Sequence, residues 1–365
     1  MIVNLKPETY RTDAIQQFLS QETIIVRITD SNGICGTGYS YTIGTGGKAV
    51  FSLIEDVFIN RIIGKNADNI EGLWQSCLFS SHATCVGAIT SLALAAIDTA
   101  LWDIRAQKAK LPLYQLLGGA RQSIPLYSTE GGWLNLSIDE LVSMNLGYQK
   151  QGFKGAKIKI GCDNPQDDYR RLSAVRKAVG DDFIILVDAN QSMSLSKALA
   201  RVSMLEEMNI GWFEEPFPAD DVQTHKLLAQ QTNVPIAVGE SMYSLSQFKE
   251  YLVCGAASIV QVDVARVGGI TPWLKVAHMA EAFNVTVCPH FLMELHLSLV
   301  CAIPNSQWLE YIPQLQNITK TKIKFEGGIA YPPRSVGLGI DWDWDIIKQM
   351  RSKDSYCLVD ASVQS

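Results

Sequence analysis

The sequence predicts an α/β chain, a (β/α)8 barrel joined to a second, smaller α+β unit. Three observations predict it. First, polar residues close a series of short apolar, β-prone segments: Lys157 and Lys159 within 155–160, Asp188 after 184–187, Glu214 after 211–213, Glu240 after 234–239, Asp263 after 257–262, His290 after 285–289 and Glu310 after 307–309. Second, successive members of this series lie roughly 20 to 30 positions apart, about one βα unit of such a barrel. Third, amphipathic helical patterns fill the intervals. Polar residues at the carboxyl ends of barrel strands converge on one mouth, and active sites sit there.

Taken in order, the first third reads as the smaller unit. Residues 22–30 alternate, Ser31-Asn32-Gly33 turns and 35–41 returns, a hairpin signal. The stretch 48–115 is mostly helical in pattern. Its clearest piece is 88–108, rich in Ala and Leu, and Pro112 with Gly118-Gly119 marks its stop. From about 124 the pattern changes. Residues 124–128 form the first barrel-strand candidate, and helices are expected over 137–151, 166–179, 194–208, 221–231, 244–253, 271–283 and 294–303. Eight strand segments with helices between them imply a parallel sheet. After Glu310 the alternation is lost. The run 322–328, Pro332-Pro333 and Gly337-Leu338-Gly339 reads as a return across the first unit. The 365 residues exceed the roughly 250 of a barrel alone, as two units require.

Composition narrows the function classes. Hydrophobic residues make up 47% and charged residues 19%, enough to bury a large core. Net charge is −6 with no basic run, which argues against nucleic-acid binding. An anionic substrate remains compatible, because local cations and a metal set the field in a cleft. The eight cysteines include no C-x-x-C pair and read as reduced thiols of a cytoplasmic protein. The amino terminus shows no signal-peptide pattern, and no apolar run is long enough to span a membrane. Sequons at Asn135 and Asn317 carry no weight without secretion.

The chemistry-bearing residues can be weighed singly and together. One strand-end carboxylate is commonly a loop cap or ion-pair partner. Asp188, Glu214 and Glu240 on successive strands form a hard-oxygen set suited to a divalent cation. Spacing alone does not choose between Glu214 and Glu215, although neighbours on a strand face opposite ways. Lys157 and Lys159, two apart, face the same side of a strand. Like charge beside like charge, with a cation nearby, is expected to lower a lysine pKa and make it a base. His82, His225, His278 and His296 read as structural. Gly44-Thr45-Gly46-Gly47-Lys48 lacks full phosphate-loop spacing and reads as a turn or substrate-closing loop.

These residues strongly resemble the enolase superfamily in its mandelate-racemase-like branch. The matching stretches are Lys157-Ile158-Lys159, Val187-Asp188-Ala189-Asn190-Gln191, Trp212-Phe213-Glu214-Glu215-Pro216, Val238-Gly239-Glu240, Asp263-Val264-Ala265-Arg266-Val267-Gly268-Gly269, Pro289-His290 and Trp308-Leu309-Glu310. The stretches 96–103 and Leu116-Leu117-Gly118-Gly119 resemble that family's capping domain. The likeness covers nearly the whole chain. It implies a modified (β/α)8 TIM barrel over 123–319 with an α+β capping domain over 1–122, completed by 320–365. The first capping strand reads as reduced, and 7–18 as a mobile loop that closes over substrate.

The resemblance also assigns roles. Asp188, Glu214 and Glu240 would hold Mg2+, with Mn2+ as the alternative ion. Lys159 would be the α-proton base, which such sites pair with Mg2+. Lys157 would tune Lys159 or contact the substrate carboxylate. His290 would be the second acid/base group, oriented by Asp263. Related branches place lysine at the Asp263 position, so Asp263 points to the mandelate-racemase-like branch. Glu310 would hydrogen-bond the substrate carboxylate, Asn190 a substrate hydroxyl, and Arg266 would stand near the mouth. The implied activity is Mg2+-dependent dehydration of an acid sugar, such as galactarate or talarate, by a cytoplasmic homo-oligomer. Racemisation or epimerisation of an α-hydroxy acid is the alternative, and a non-catalytic binding protein on the same fold the third reading.

Overall fold

The computed structural model describes residues 1–7, 9–84, 87–320, 322–353 and 355–359. The smaller unit opens with β1 (Ile2–Leu5), β2 (Arg11–Thr12), β3 (Gln17–Phe18), β4 (Gln21–Thr29) and β5 (Cys35–Thr42). Strands β1, β4 and β5 form an antiparallel sheet in that order, with Ile2 opposite Ile24 and Ile25 opposite Tyr39. The first strand is present and short, four residues against the nine of β4, with Ile2, Val3 and Leu5 burying apolar side chains on this sheet. The hairpin turn forms as expected. Asp30 Oδ1 accepts from the Asn32 and Ile34 amides, and Gly33 takes φ 81°.

Helix Ala88–Ala109 lies directly on β5. Its approach depends on Gly36 and Gly38, where an added Cβ would stand 2.1 Å from the carbonyl oxygens of Ala100 and Ala96. Gly38→Ala is therefore expected to force helix and sheet apart and to cost about 1 to 3 kcal/mol, as overpacking does. Urea unfolding of the variant measures this, and an unchanged midpoint would show that the contact yields freely. Asp98 on the same helix ties the units together. It accepts from the Thr271 amide at 2.9 Å and hydroxyl at 2.6 Å, in the first turn of helix Ile270–Ala282.

Eight parallel strands make the barrel: β6 (Ile124–Ser128), β7 (Gly155–Lys159), β8 (Ile184–Asp188), β9 (Phe213–Glu214), β10 (Ile236–Val238), β11 (Ile259–Val260), β12 (Thr286–Val287) and β13 (Leu309–Tyr311). Each pairs with the next from β6 to β12. Closure comes from β13 pairing with β6 and a parallel bridge between Val287 and Ser306. A short antiparallel hairpin, β14 (Phe325–Glu326) and β15 (Ile329–Ala330), adds to β6. Every expected barrel helix forms. Ser137 and Glu140 make a reciprocal capping box, and Asn164, Ser194, Asp221 and Ser244 cap the helices that follow them.

The barrel interior is filled by Tyr127, Leu186, Trp212, Ala237, Ile259, Cys288 and Trp308. Side chains alternate along a strand, so residues two positions on form the layer above. For these strands that layer includes Thr129, Asp188, Glu214, Gln261, His290 and Glu310. The same apolar residues that plug the barrel thus fix which polar residues face its mouth.

Within the described residues, the segment expected over 7–18 forms a hairpin of β2 and β3. It is pinned by Leu134 N–H to Thr12 O and Thr12 N–H to Asn135 Oδ1, each 2.9 Å. Gly47 opens a helix and gives its amide to Glu22 Oε2 at 2.9 Å, so a carboxylate occupies the glycine-rich turn. Cys35, Cys77, Cys162, Cys254, Cys288, Cys301 and Cys357 carry free thiols, and Cys85 lies outside the described residues. No described helix is long and apolar enough to cross a membrane.

Candidate active site

All the singled-out residues of the series reach one buried mouth. Asp188, Glu214 and Glu240 each offer an oxygen, and these oxygens lie within 4.8 Å of one another. All three carboxylates are buried. Glu240 Oε2 makes no hydrogen bond, although His290 Nε2 stands 3.4 Å away. Three hard oxygen donors with an unsatisfied lone pair fit Mg2+, a hard cation that binds carboxylates and keeps positions for water or substrate. Glu215 turns away from this set, toward Gln191 Nε2 and Ser241 Oγ.

The two lysines supply the positive charge here. Lys157 Nζ is 2.7 Å from Glu214, 3.0 Å from Glu310 and 3.6 Å from Asp188, and Lys159 Nζ pairs with Asp188. The expectation of a lowered lysine pKa is not met by the protein alone. Burial pulls Lys159 down, but Asp188, Glu240 and Glu214 outweigh burial and Lys157, and the net direction is up. Lys157 rises further for the same reason. The carboxylates feel the converse. Burial and the charge of Asp188 push Glu214 well above the usual range, while Asp188 is held below it, against burial, by Lys159 and Lys157. A divalent cation among the carboxylates would take over their charge and free the lysines from it.

His290 and Asp263 stand nearly across the ring from β7. His290 Nδ1 is 2.9 Å from Asp263 Oδ2, leaving Nε2 toward the mouth. Burial raises the Asp263 carboxyl, but the His290 hydrogen bond and charge and the Arg266 charge bring it down to about 2. Asp263 is thus a fixed anion that sets the His290 ring orientation. Arg266 reaches Glu240 Oε1 at 3.3 Å and Glu240 O at 3.1 Å. Asn190 is buried with φ 43°, gives its amide to Asp188 Oδ1 and leaves its own Oδ1 without a partner.

Glu310 lies within β13 at the mouth. It accepts from the Thr129 hydroxyl and the Phe291 amide, and Lys157 stands against it. Burial raises its carboxyl, yet Lys157 and these donors bring it down to about 2. Lys157 and Glu310 thus stand as a buried ion pair at the mouth.

Several contacts escaped the sequence reading. Tyr41, from β5, donates to Asp263 Oδ2 at 2.7 Å and packs on Phe291 at 4.6 Å between centroids. The Trp133 ring lies 5.3 Å from Lys159 Nζ. Phe291 and Leu292 take φ 58° and 22°, strained values for bulky residues, and this turn aims the Phe291 amide at Glu310. The hairpin signal over 22–41 does not show which barrel strand Tyr41 meets.

A barrel closed by a capping sheet, with lysines on one side, a His–Asp pair opposite and carboxylates between, defines an acid/base enzyme built for a divalent cation. Residues 142–346 match the enolase C-terminal domain-like family, and 4–118 match the mandelate racemase / muconate lactonizing enzyme N-terminal domain. The chain belongs to the enolase superfamily. It is 34% identical to L-talarate/galactarate dehydratase of Salmonella typhimurium, over 87% of this chain and 79% of that protein. It is 33% identical to arabinonate dehydratase of Saccharolobus solfataricus, over 87% of each. The structure of L-talarate dehydratase from Polaromonas sp., complexed with Mg and L-glucarate, superposes with a TM-score of 0.91 at 32% identity, covering 96% of this chain and 95% of that one.

The carboxylate set carries a direct test. Mg2+ titrated into metal-stripped protein is expected to show one site by calorimetry. Glu240→Gln should weaken it by about 100-fold or more, since even outer-shell losses cost about 10- to 100-fold. Unchanged affinity would remove Glu240 from the set.

Proposed function

We propose that this protein is a Mg2+-dependent acid-sugar dehydratase, a carbon–oxygen lyase acting on a small anionic substrate. The observation that carries the reading is the placement of Lys159 and of His290 Nε2 on facing sides of one buried carboxylate cluster. An elimination needs a base on one side and an acid on the other.

Asp188, Glu214 and Glu240 would hold the Mg2+, which when bound supplies Lewis-acid stabilisation of charge on the substrate carboxylate. Lys159 Nζ removes the proton at C2, and the electron pair moves into the carboxylate as an enediolate. Lys157 donates to that carboxylate, a contact that strengthens as charge develops. The electrons then return to form the C2–C3 double bond while the C3–O bond breaks. His290 Nε2 gives its proton to the departing hydroxyl, which leaves as water. The enol tautomerises to a 2-keto-3-deoxy acid. Asn190 Oδ1 is placed to accept from a substrate hydroxyl, and Arg266 holds Glu240.

Galactarate or talarate is the substrate we favour, supported by the named activity of the Salmonella relative. The arabinonate relative keeps a monoacid in view. Racemisation uses the same two groups, with His290 returning a proton to C2 in place of C3–O cleavage. A non-catalytic chain would be expected to lack the base or a ligand, and all are in place. The same reading places the catalytic barrel at 123–319, with the capping domain at 1–122 and 320–365, and makes the enzyme a cytoplasmic homo-oligomer. A panel of acid sugars incubated with Mg2+ and assayed for 2-keto acid tests the activity, and silence across both diacids and monoacids would refute it.

A further inference from the structure

The two oxygens of Asp263 have different partners. Oδ1 accepts from the amides of Ala265 at 2.8 Å and Arg266 at 3.1 Å, so the loop that follows β11 holds it. Oδ2 accepts from the Tyr41 hydroxyl at 2.7 Å and faces His290 Nδ1 at 2.9 Å. Tyr41 is 1% exposed. Burial pushes its phenol well above the ordinary range, so the hydroxyl keeps its proton and donates. The Tyr41 ring packs on Phe291, and Phe291 stacks on His290 with centroids 5.3 Å apart and planes at 16°.

Strand β5 presents this hydroxyl from a firm base. Its Gly36 and Gly38 lie against the carbonyls of helix Ala88–Ala109. That helix grips the barrel at Thr271, through Asp98 and through Trp102 Nε1, which donates to Thr271 Oγ1 at 2.9 Å. Trp74, on helix Ile70–Ser80, donates from Nε1 to Gly268 O at 2.8 Å. The segment from Asp263 to Thr271 is therefore held from the smaller unit at Asp263, at Gly268 and at Thr271. We propose that Tyr41 is a positioning residue for the acid half of the reaction: its hydroxyl fixes the plane of the Asp263 carboxylate, and that plane aims His290 Nε2 at the departing hydroxyl. This rests on the dehydratase reading above.

The terminal torsion of an aspartate is broad, so one fixed oxygen leaves the carboxylate plane loose. A second donor on Oδ2 removes that freedom, and a bond to an ionised acceptor is a strong one. Without the phenol, Oδ2 keeps only His290, and the ring turns with the carboxylate. Proton delivery to a leaving group depends steeply on such alignment. The base does not share this support. Lys159 is held within the barrel, by Asp188 and beside the Trp133 ring. Loss of the Tyr41 hydroxyl should therefore slow breakage of the C3–O bond and leave proton removal at C2 in place.

Tyr41→Phe tests this, because it keeps the ring on Phe291 and removes only the hydroxyl. Wild type and variant are assayed with Mg2+ and galactarate in D2O, following keto acid and deuterium at C2 together. The variant should lose about 10- to 100-fold in kcat for keto acid, the range set by one hydrogen bond to a charged group. KM should stay within about 3-fold, since the contact belongs to the acid and not to substrate binding. The ratio of C2 exchange to keto acid should rise by about 10-fold or more, whereas a loss of folded protein would lower both rates and leave the ratio alone. In the Asp263→Asn background, Tyr41→Phe should cost less than about 3-fold further, because the two residues act through one contact. In parallel, proton–nitrogen NMR of 15N-histidine-labelled, Mg2+-loaded protein reads the ring directly, with His290 assigned by His290→Asn. Its ring resonances should shift in Tyr41→Phe. Equal losses in exchange and elimination would make Tyr41 a packing residue and overturn the proposal, as would an unchanged kcat, full additivity with Asp263→Asn or unmoved His290 resonances. The NMR arm needs no turnover, so it judges Tyr41 even where a wild type silent for keto acid contradicts dehydration.

Discussion

Lys159→Ala is expected to abolish both keto-acid formation and deuterium exchange at C2 of the substrate. Lys159 is the amine that ends β7 at the mouth, paired with Asp188 and lying 5.3 Å from the Trp133 ring. General-base catalysis contributes about 10²- to 10⁴-fold, and without a base no enediolate forms for His290 to act on. The loss in kcat should therefore be at least about 10³-fold, or some 4 kcal/mol of barrier. Substrate affinity should change far less, because Lys157 remains as the donor to the carboxylate. Exchange at C2 persisting at the wild-type rate would remove Lys159 from the role. The protein alone holds Lys159 protonated, so chelation of the divalent ion should mimic the mutation. Restored Mg2+ should reverse chelation but not the mutation.

His290→Asn should separate the two half-reactions. Lys159 is untouched, so C2 exchange in D2O should continue while loss of the C3 hydroxyl falls by about 10²- to 10⁴-fold, or about 3 to 5 kcal/mol. The side chain it removes is held by Asp263 and, through Asp263, by Tyr41. Asp263→Asn should cause a related loss, because it withdraws the anion that orients the ring. A His290→Asn enzyme that dehydrates at the wild-type rate would move the acid elsewhere.

Much of this site was legible in the sequence because period-two alternation and βα spacing are local properties. Leu186 inward fixes Asp188 at the mouth, Trp212 fixes Glu214, and Cys288 fixes His290. Capping residues such as Ser137 and Ser244 set the helix starts within a residue of expectation. What was not legible depends on non-local contact. Tyr41 meets Asp263 across 222 positions, and Arg11 meets Glu130 across 119. No spacing rule connects such pairs. The raised direction of Lys159 in the metal-free protein was hidden for a related reason. The repulsion of Lys157 was visible in the sequence, but the number and closeness of opposing carboxylates only in three dimensions. The contacts of Glu310 show the same limit, since Thr129 and Phe291 come from different strands' ends.

Proton NMR in D2O, with Mg2+ and a six-carbon diacid such as galactarate, tests the central claim most directly. The account predicts a 2-keto-3-deoxy acid carrying deuterium at C3, placed there when the enol ketonises. Deuterium at C2 with no keto acid would contradict it and make the enzyme a racemase or epimerase.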